Sequence, residues 1–243
     1  MNFELFSSLF CIEVVKNVYL CIVNQLLIMA KTPLWQDDYW LLLMQAYLSS
    51  PKGVKPTYSK TMVDLSMELH IAPTFLAAKM EQLTRLDTPR LERIWQTYAK
   101  NPRRLARAVR LWREMKGFGL ADNFYEGVEV NETFEPDFRP IEAEPRLMPA
   151  ALILILNLYF QLIPQTMVEK TPEVISMGRL IGVPPALVVS VLELYQRCDP
   201  YLKRADDTQH PLLSSCRQIW KRFEGKEPEE IDAFAQQLKE YYQ

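Results

Sequence analysis

The chain has only two histidines, His70 and His210, far apart in sequence. A histidine-built metal centre or acid–base pair is therefore not expected, because both chemistries need imidazoles brought together with further ligating or proton-accepting groups. The four cysteines, Cys11, Cys21, Cys198 and Cys216, form no C-x-x-C pair. They read as small buried apolar residues in a reducing cytoplasm. Glycine is scarce, with seven in 243 residues, which disfavours a β-rich chain with many tight turns. No phosphate-cradling loop, nucleophile elbow or metal-ligand spacing occurs. Acidic pairs such as Glu142/Glu144 and Asp206/Asp207 have no His, Cys or Gly-rich company, so solvated loops are the better reading. A non-enzymatic protein with no cofactor and no metal is expected. No uninterrupted apolar run reaches the roughly 20 residues that span a bilayer.

What is present is a core and a charge asymmetry. Hydrophobic residues make up 49% and charged residues 24%, the composition of a globular chain. The net charge of -2 conceals two halves of opposite sign. Residues 31–118 carry 15 Lys+Arg and 8 Asp+Glu, a balance of +7, whereas residues 119–243 carry 12 and 20, a balance of -8. Such a division suggests a polyanionic partner or two halves that attract each other.

One pattern occurs twice. Thr61–Thr88 reads as two short helices broken at His70–Pro73, and the same pattern returns at Glu173–Pro200. With numbers shifted by 112, Leu42 meets Leu154, Gln45 meets Asn157 and Tyr47 meets Tyr159. Val63 then meets Ile175, Leu69 meets Ile181, Ile71 meets Val183, Pro73 meets Pro185, Glu81 meets Glu193 and Asp87 meets Asp199. After an insertion around Lys203–Ser215, Ile94-Trp95 aligns with Ile219-Trp220, Tyr98 with Phe223, and Asn101-Pro102 with Glu227-Pro228. Matching Tyr, Pro, Asp and Trp in one order is hard to obtain by chance. The expected fold is all-α: a tandem duplication of a helical unit containing a helix-turn-helix-like pair.

The expected segments are an apolar N-terminal extension (1–30), a basic first repeat (31–116), an acidic Pro/Gly linker (117–146) and an apolar, acidic second repeat (147–243). The extension carries Glu4 where a signal peptide would be basic. Residues 1–28 are expected to lie outside the functional unit, with Met29 as a plausible start. In the first repeat, helices are expected over 35–49, from about Ser59, from Pro73, after Thr88-Pro89 and from Asn101-Pro102. Proline at a first helical position loses no hydrogen bond. The last of these, PRRLARAVRLWREM, places Leu105, Ala108, Val109 and Trp112 on one face and Arg103, Arg107 and Arg110 on the opposite one. The linker reads as ordered coil, its aromatics Phe118, Phe124, Tyr125, Phe134 and Phe138 resting on the bundles. In the second repeat LMPAALILILNLYFQLI reads as a helix buried on most sides. Thr171-Pro172-Glu173 is an N-cap signal, and the final helix is acidic where its counterpart is basic.

Leu158-Tyr159-Phe160, Ile163-Pro164, Pro172-Glu173-Val174-Ile175, Gly182, Pro185-Ala186 and Asp199-Pro200 resemble a helix-turn-helix-like module found N-terminal to the nuclease domain of HNH-type restriction endonucleases. The first copy keeps Pro73-Thr74 and Lys79. The resemblance implies a DNA-binding helix pair without the nuclease, since no His-Asn-His region is present.

A second helix of such a pair can enter the major groove and offer side chains to base edges. The candidates are Thr74, Lys79, Gln82 and Arg85. Phosphate contacts would come from Lys60, Lys100, Arg103, Arg104, Arg107 and Arg110. The second copy lacks basic groups on the matching helix. The expected function is DNA binding through the first unit. The alternative is a protein–protein interaction or assembly module, with the acidic helix at Glu227–Glu240 facing the basic one within one chain or between two. The apolar surfaces of Ala150–Ile163 and Ala186–Val191 would then serve copy-to-copy packing or a homodimer.

Overall fold

Prolines set most of the helix starts. In a computed structural model, which describes residues 35–115, 134–202 and 210–243, seven of the described α-helices begin on proline. The ring fixes φ near the helical value, and the missing N–H has no partner to lose at that position. The first half contains α1 (Tyr39–Leu48), α2 (Lys60–Leu69), α3 (Pro73–Arg85), α4 (Pro89–Tyr98) and α5 (Pro102–Glu114). The second contains α6 (Pro149–Gln161), α7 (Pro172–Ile181), α8 (Pro185–Cys198), α9 (Leu213–Phe223) and α10 (Pro228–Lys239). Short 3-10 helices lie at Glu135–Phe138 and Pro164–Thr166. The described residues contain no β-strand, so the fold is all-α.

The chain divides into two compact units, Met1–Tyr39 and Trp40–Gln243. Of the first, residues 35–39 are described, with Trp35 and Tyr39 in edge contact at 5.5 Å. The expected extension 1–30, the linker aromatics Phe118, Phe124 and Tyr125, and the Asp206/Asp207 pair lie outside the described residues. The expected second repeat falls wholly in the second unit, and the expected first repeat does so from Trp40 onward.

Element bounds recur between the halves. Helices α2 and α7 start at 60 and 172, and α3 and α8 start at 73 and 185, a spacing of 112 in both cases. Each pair is joined by three residues, the first of them left-handed: His70 at φ 54° and Gly182 at φ 73°. In each turn the next N–H folds back onto a helix carbonyl, Ile71 onto Ser66 at 3.1 Å and Val183 onto Gly178 at 2.9 Å. The chain bends by 107° between α7 and α8. An aromatic contact recurs too, Tyr47–Trp95 at 5.5 Å and Tyr159–Trp220 at 5.8 Å, both edge-on.

The halves differ in what they bury. Every residue of α6 from Ala150 to Tyr159 is buried. This helix packs against α7, α8, α9, α10 and the first 3-10 helix. Its few polar atoms are satisfied, as burial requires. Asn157 donates to Asp232 at 2.9 Å, and the Tyr159 hydroxyl donates to Asp199 at 2.6 Å. The apolar surface expected to serve copy-to-copy or dimer packing over Ala150–Ile163 is thus mostly used inside its own bundle. A helix apolar all round belongs in a core, and here the core is local. No described helix is by itself long and apolar enough to cross a membrane.

Two local expectations need correction. Thr171 makes no side-chain cap on α7; its hydroxyl donates to the Thr166 carbonyl instead. The linker is not coil throughout, since Glu135–Phe138 forms a 3-10 helix with Pro136 in its first turn. That turn holds the halves together. Glu135 and Asp137 are buried acids. Glu135 meets His70 Nδ1 at 2.7 Å and Arg139 at 2.7 Å. Asp137 accepts from Arg222 at 2.7 and 2.8 Å. Phe138 stacks on Tyr58 at 6.2 Å, and Tyr58 in turn meets Phe234 edge-on at 5.8 Å. Val63 joins the hydrophobic core of the second half directly.

Candidate nucleic-acid interface

Helix α5 carries the cationic face. Asn101 caps it by accepting the Arg104 N–H at 3.1 Å, and Pro102 follows. Leu105, Val109 and Trp112 are buried. That leaves Arg103, Arg104, Arg107 and Arg110 exposed on the other side, with Lys100 exposed just before the helix. The expected stripe is therefore present, with its apolar and basic sides as spaced.

Few of these cations are engaged. Arg104 lies over the Tyr98 ring at 5.5 Å. Arg110 reaches Glu114 of the same helix at 3.5 Å, with both side chains more than 60% exposed, so that pair is worth little. Lys100, Arg103 and Arg107 have no carboxylate partner among the described residues. The acidic helix α10 does not cover the stripe: it packs on α6. Arg113, one turn on, makes a two-pronged contact with Glu68 of α2 at 2.7 and 2.8 Å. This anchors the end of α5 to the helix pair.

Helix α3 presents the candidate base-reading residues. Leu76, Met80 and Leu83 face inward, and Thr74, Gln82 and Arg85 are exposed. Lys79 is half-buried, its ammonium 5.6 Å from the Trp40 ring and 5.4 Å from Phe75, with a 3.2 Å bond to Gln82. It is the least available of the four. Arg85 pairs at 3.3 Å with Glu81, a solvent-exposed contact. Lys60 is exposed at the start of α2.

Sequence reasoning passed over Arg90 and Arg93. Both are exposed on α4, which packs on α5. Their signal was present, two arginines in the first turns of a short helix after Thr88-Pro89, but without a long apolar face to contrast with.

The matching surface of the second half is closed. On α8 only Ala186 and Glu193 are exposed, the other residues being half-buried or buried. Gly178 explains part of this closeness. A Cβ there would sit 2.8 Å from the Val183 carbonyl oxygen, so the turn folds tight against α7. Among the described residues, no group of three or more His, Cys, Asp or Glu is placed to hold a metal. Glu144, half of an acidic pair in the sequence, is bound by Arg146 at 2.8 Å. The Arg146 hydrogen bonds pull its carboxyl down to about 2.

Comparison with protein-family models, with curated proteins and with solved structures finds no match for this chain.

Proposed function

We propose that the protein is a non-enzymatic DNA-binding protein, built by tandem duplication, in which the first half contacts duplex DNA. The observation that carries the reading is the exposed cationic face of α5. Among the described residues Lys100, Arg103, Arg104 and Arg107 have no carboxylate partner, and all four are exposed. Unneutralised guanidinium groups in a row suit phosphates, which they can bind through two parallel hydrogen bonds. The pair α2–α3, with its three-residue turn, supplies a helix whose exposed Thr74, Gln82 and Arg85 can address a groove. The resemblance of the second copy to the modules that precede HNH-type nucleases points the same way. The repeated helix bounds and the repeated Tyr–Trp contact support the duplication. A cytoplasmic setting is part of the same proposal, and the buried thiol of Cys216 is compatible with it.

The test is fluorescence anisotropy with a labelled duplex at about 50 mM salt, where non-specific binding is strong. Wild-type protein should bind. Arg103→Ala/Arg107→Ala/Arg110→Ala should weaken binding at least tenfold, and should reduce the slope of log affinity against log salt by about 2–3. Circular dichroism should be unchanged, because these side chains face solvent. Failure of the wild-type protein to bind would favour the second reading, a protein–protein interaction module. What favours that reading is a set of exposed apolar residues, Phe160, Ile163 and Val168, with Phe160 packed 5.8 Å from Trp220.

A further inference from the structure

Helices α5 and α10 hold the same place in their respective halves and carry opposite charge. Each closes its half, and each starts at a residue followed by proline, Asn101-Pro102 and Glu227-Pro228. Residues 100–110 hold five cations, Lys100, Arg103, Arg104, Arg107 and Arg110, and no acid. Residues 224–230 hold four carboxylates, Glu224, Glu227, Glu229 and Glu230, against Lys226, a balance of -3.

All four glutamates are exposed, and none has an ion pair among the described residues. Of their basic neighbours Lys221 is exposed, and two others are turned to other partners. Arg222 is held by Asp137 at 2.7 Å, and Lys226 lies over the Phe223 ring at 5.0 Å. Within one chain the two charged faces do not meet, because α10 is packed on α6 and α5 on α4. Both faces are left to an outside partner, and each chain carries both.

We propose that the cationic face of α5 is covered, in the absence of nucleic acid, by the acidic start of α10 from a second copy. Two such contacts, α5 to α10 in each direction, are self-complementary and close a two-fold dimer. The contacts are solvent-exposed, so the association is weak and falls steeply with salt. A second copy and a phosphate backbone then compete for one row of guanidinium groups. The competition rests on the DNA reading above; the self-association stands without it.

The test is sedimentation velocity of the full chain at about 100 µM, at about 20 mM and about 500 mM salt, bracketing weak and strong screening. A reversible dimer at low salt that dissociates at high salt is expected. The triple variants Glu227→Lys/Glu229→Lys/Glu230→Lys and Arg103→Glu/Arg107→Glu/Arg110→Glu should each be monomeric alone and should associate when mixed. A monomer at low salt, or a dimer indifferent to both variants, overturns the proposal. In anisotropy with a duplex, Glu227→Gln/Glu229→Gln/Glu230→Gln should bind about two- to fivefold more tightly than wild type where wild type is dimeric. Unchanged affinity there overturns the competition. DNA binding without self-association removes this inference alone, and self-association without DNA binding removes the DNA reading alone.

Discussion

The two halves share helix bounds, turn geometry and an aromatic contact, yet they divide their residues differently between inside and outside. The second half is organised around α6, with four helices packed on it and only Ala186 and Glu193 of α8 exposed. In the first half α1 is buried at Trp40, Leu42, Leu43, Met44 and Ala46, but α3 keeps a polar face and α5 shows a cationic one. One order of helices is therefore packed in two ways. Where every face is buried the unit contributes stability and has little left to present; where burial stops at one face, the other is available for a ligand.

The comparison can be sharpened by mutation, beginning with the core. Leu154 of α6 and Leu42 of α1 occupy matching positions, and both are buried. Truncating a buried leucine costs about 2–5 kcal/mol, more where the site cannot collapse. Leu154→Ala is expected near the top of that range and Leu42→Ala near the bottom, measured by denaturant unfolding. Equal costs would mean that the first half is packed as tightly as the second.

A contrast of sign is expected at the next matched pair. Gly178→Ala places a Cβ 2.8 Å from the Val183 carbonyl, and overpacking of this kind costs about 1–3 kcal/mol. Ser66 stands at the corresponding position, fully buried, and its hydroxyl has no hydrogen-bond partner. Ser66→Ala removes an unsatisfied polar group and should be neutral, or stabilising by up to about 1 kcal/mol. Thermal melts of both variants decide it. A stabilising Gly178→Ala would show that the turn relaxes more easily than its geometry implies.

The smallest effect concerns pH. Hydrogen bonds to Asp232, first from Asn157 and then from Gln236, hold its carboxyl below the ordinary aspartate range. A carboxyl depressed in the folded state adds stability above its unfolded value. That contribution is lost as pH falls through the folded value. Asn157→Ala should therefore lower Tm near neutral pH, and its difference from wild type should shrink as the solution becomes acid. Gln45→Ala, at the matching position without a carboxylate partner, should show no such trend. Alkylation of Cys216 should likewise be negligible before unfolding, because burial pushes its thiol up to about 12.

Local features were legible in the sequence because their causes are local. Proline at 73, 89, 102, 172 and 185 marks helix starts through backbone chemistry alone. The stripe on α5 follows from 100° per residue, and the buried character of α6 follows from its lack of a polar side. Pairings across the chain were not legible. His70 meets Glu135, 65 residues away. Arg222 and Asp137 are 85 residues apart. Periodicity carries no information about such partners. Nor could it tell whether an all-apolar helix serves its own bundle or a neighbour's, since both environments are equally free of water.

Proline at the first turn of α5 also restricts how that helix could hold an anion. Pro102 has no N–H, the Arg104 N–H is taken by the Asn101 side chain, and the Leu105 N–H bonds to the Asn101 carbonyl. Little main-chain donor capacity is left for a phosphate at this end. The grip must come from planar side-chain forks, so replacing these arginines with lysine would keep the charge and lose the two-point geometry. The same economy of donors applies at Pro73 and Pro185, where a free oxyanion would find few amides to meet it.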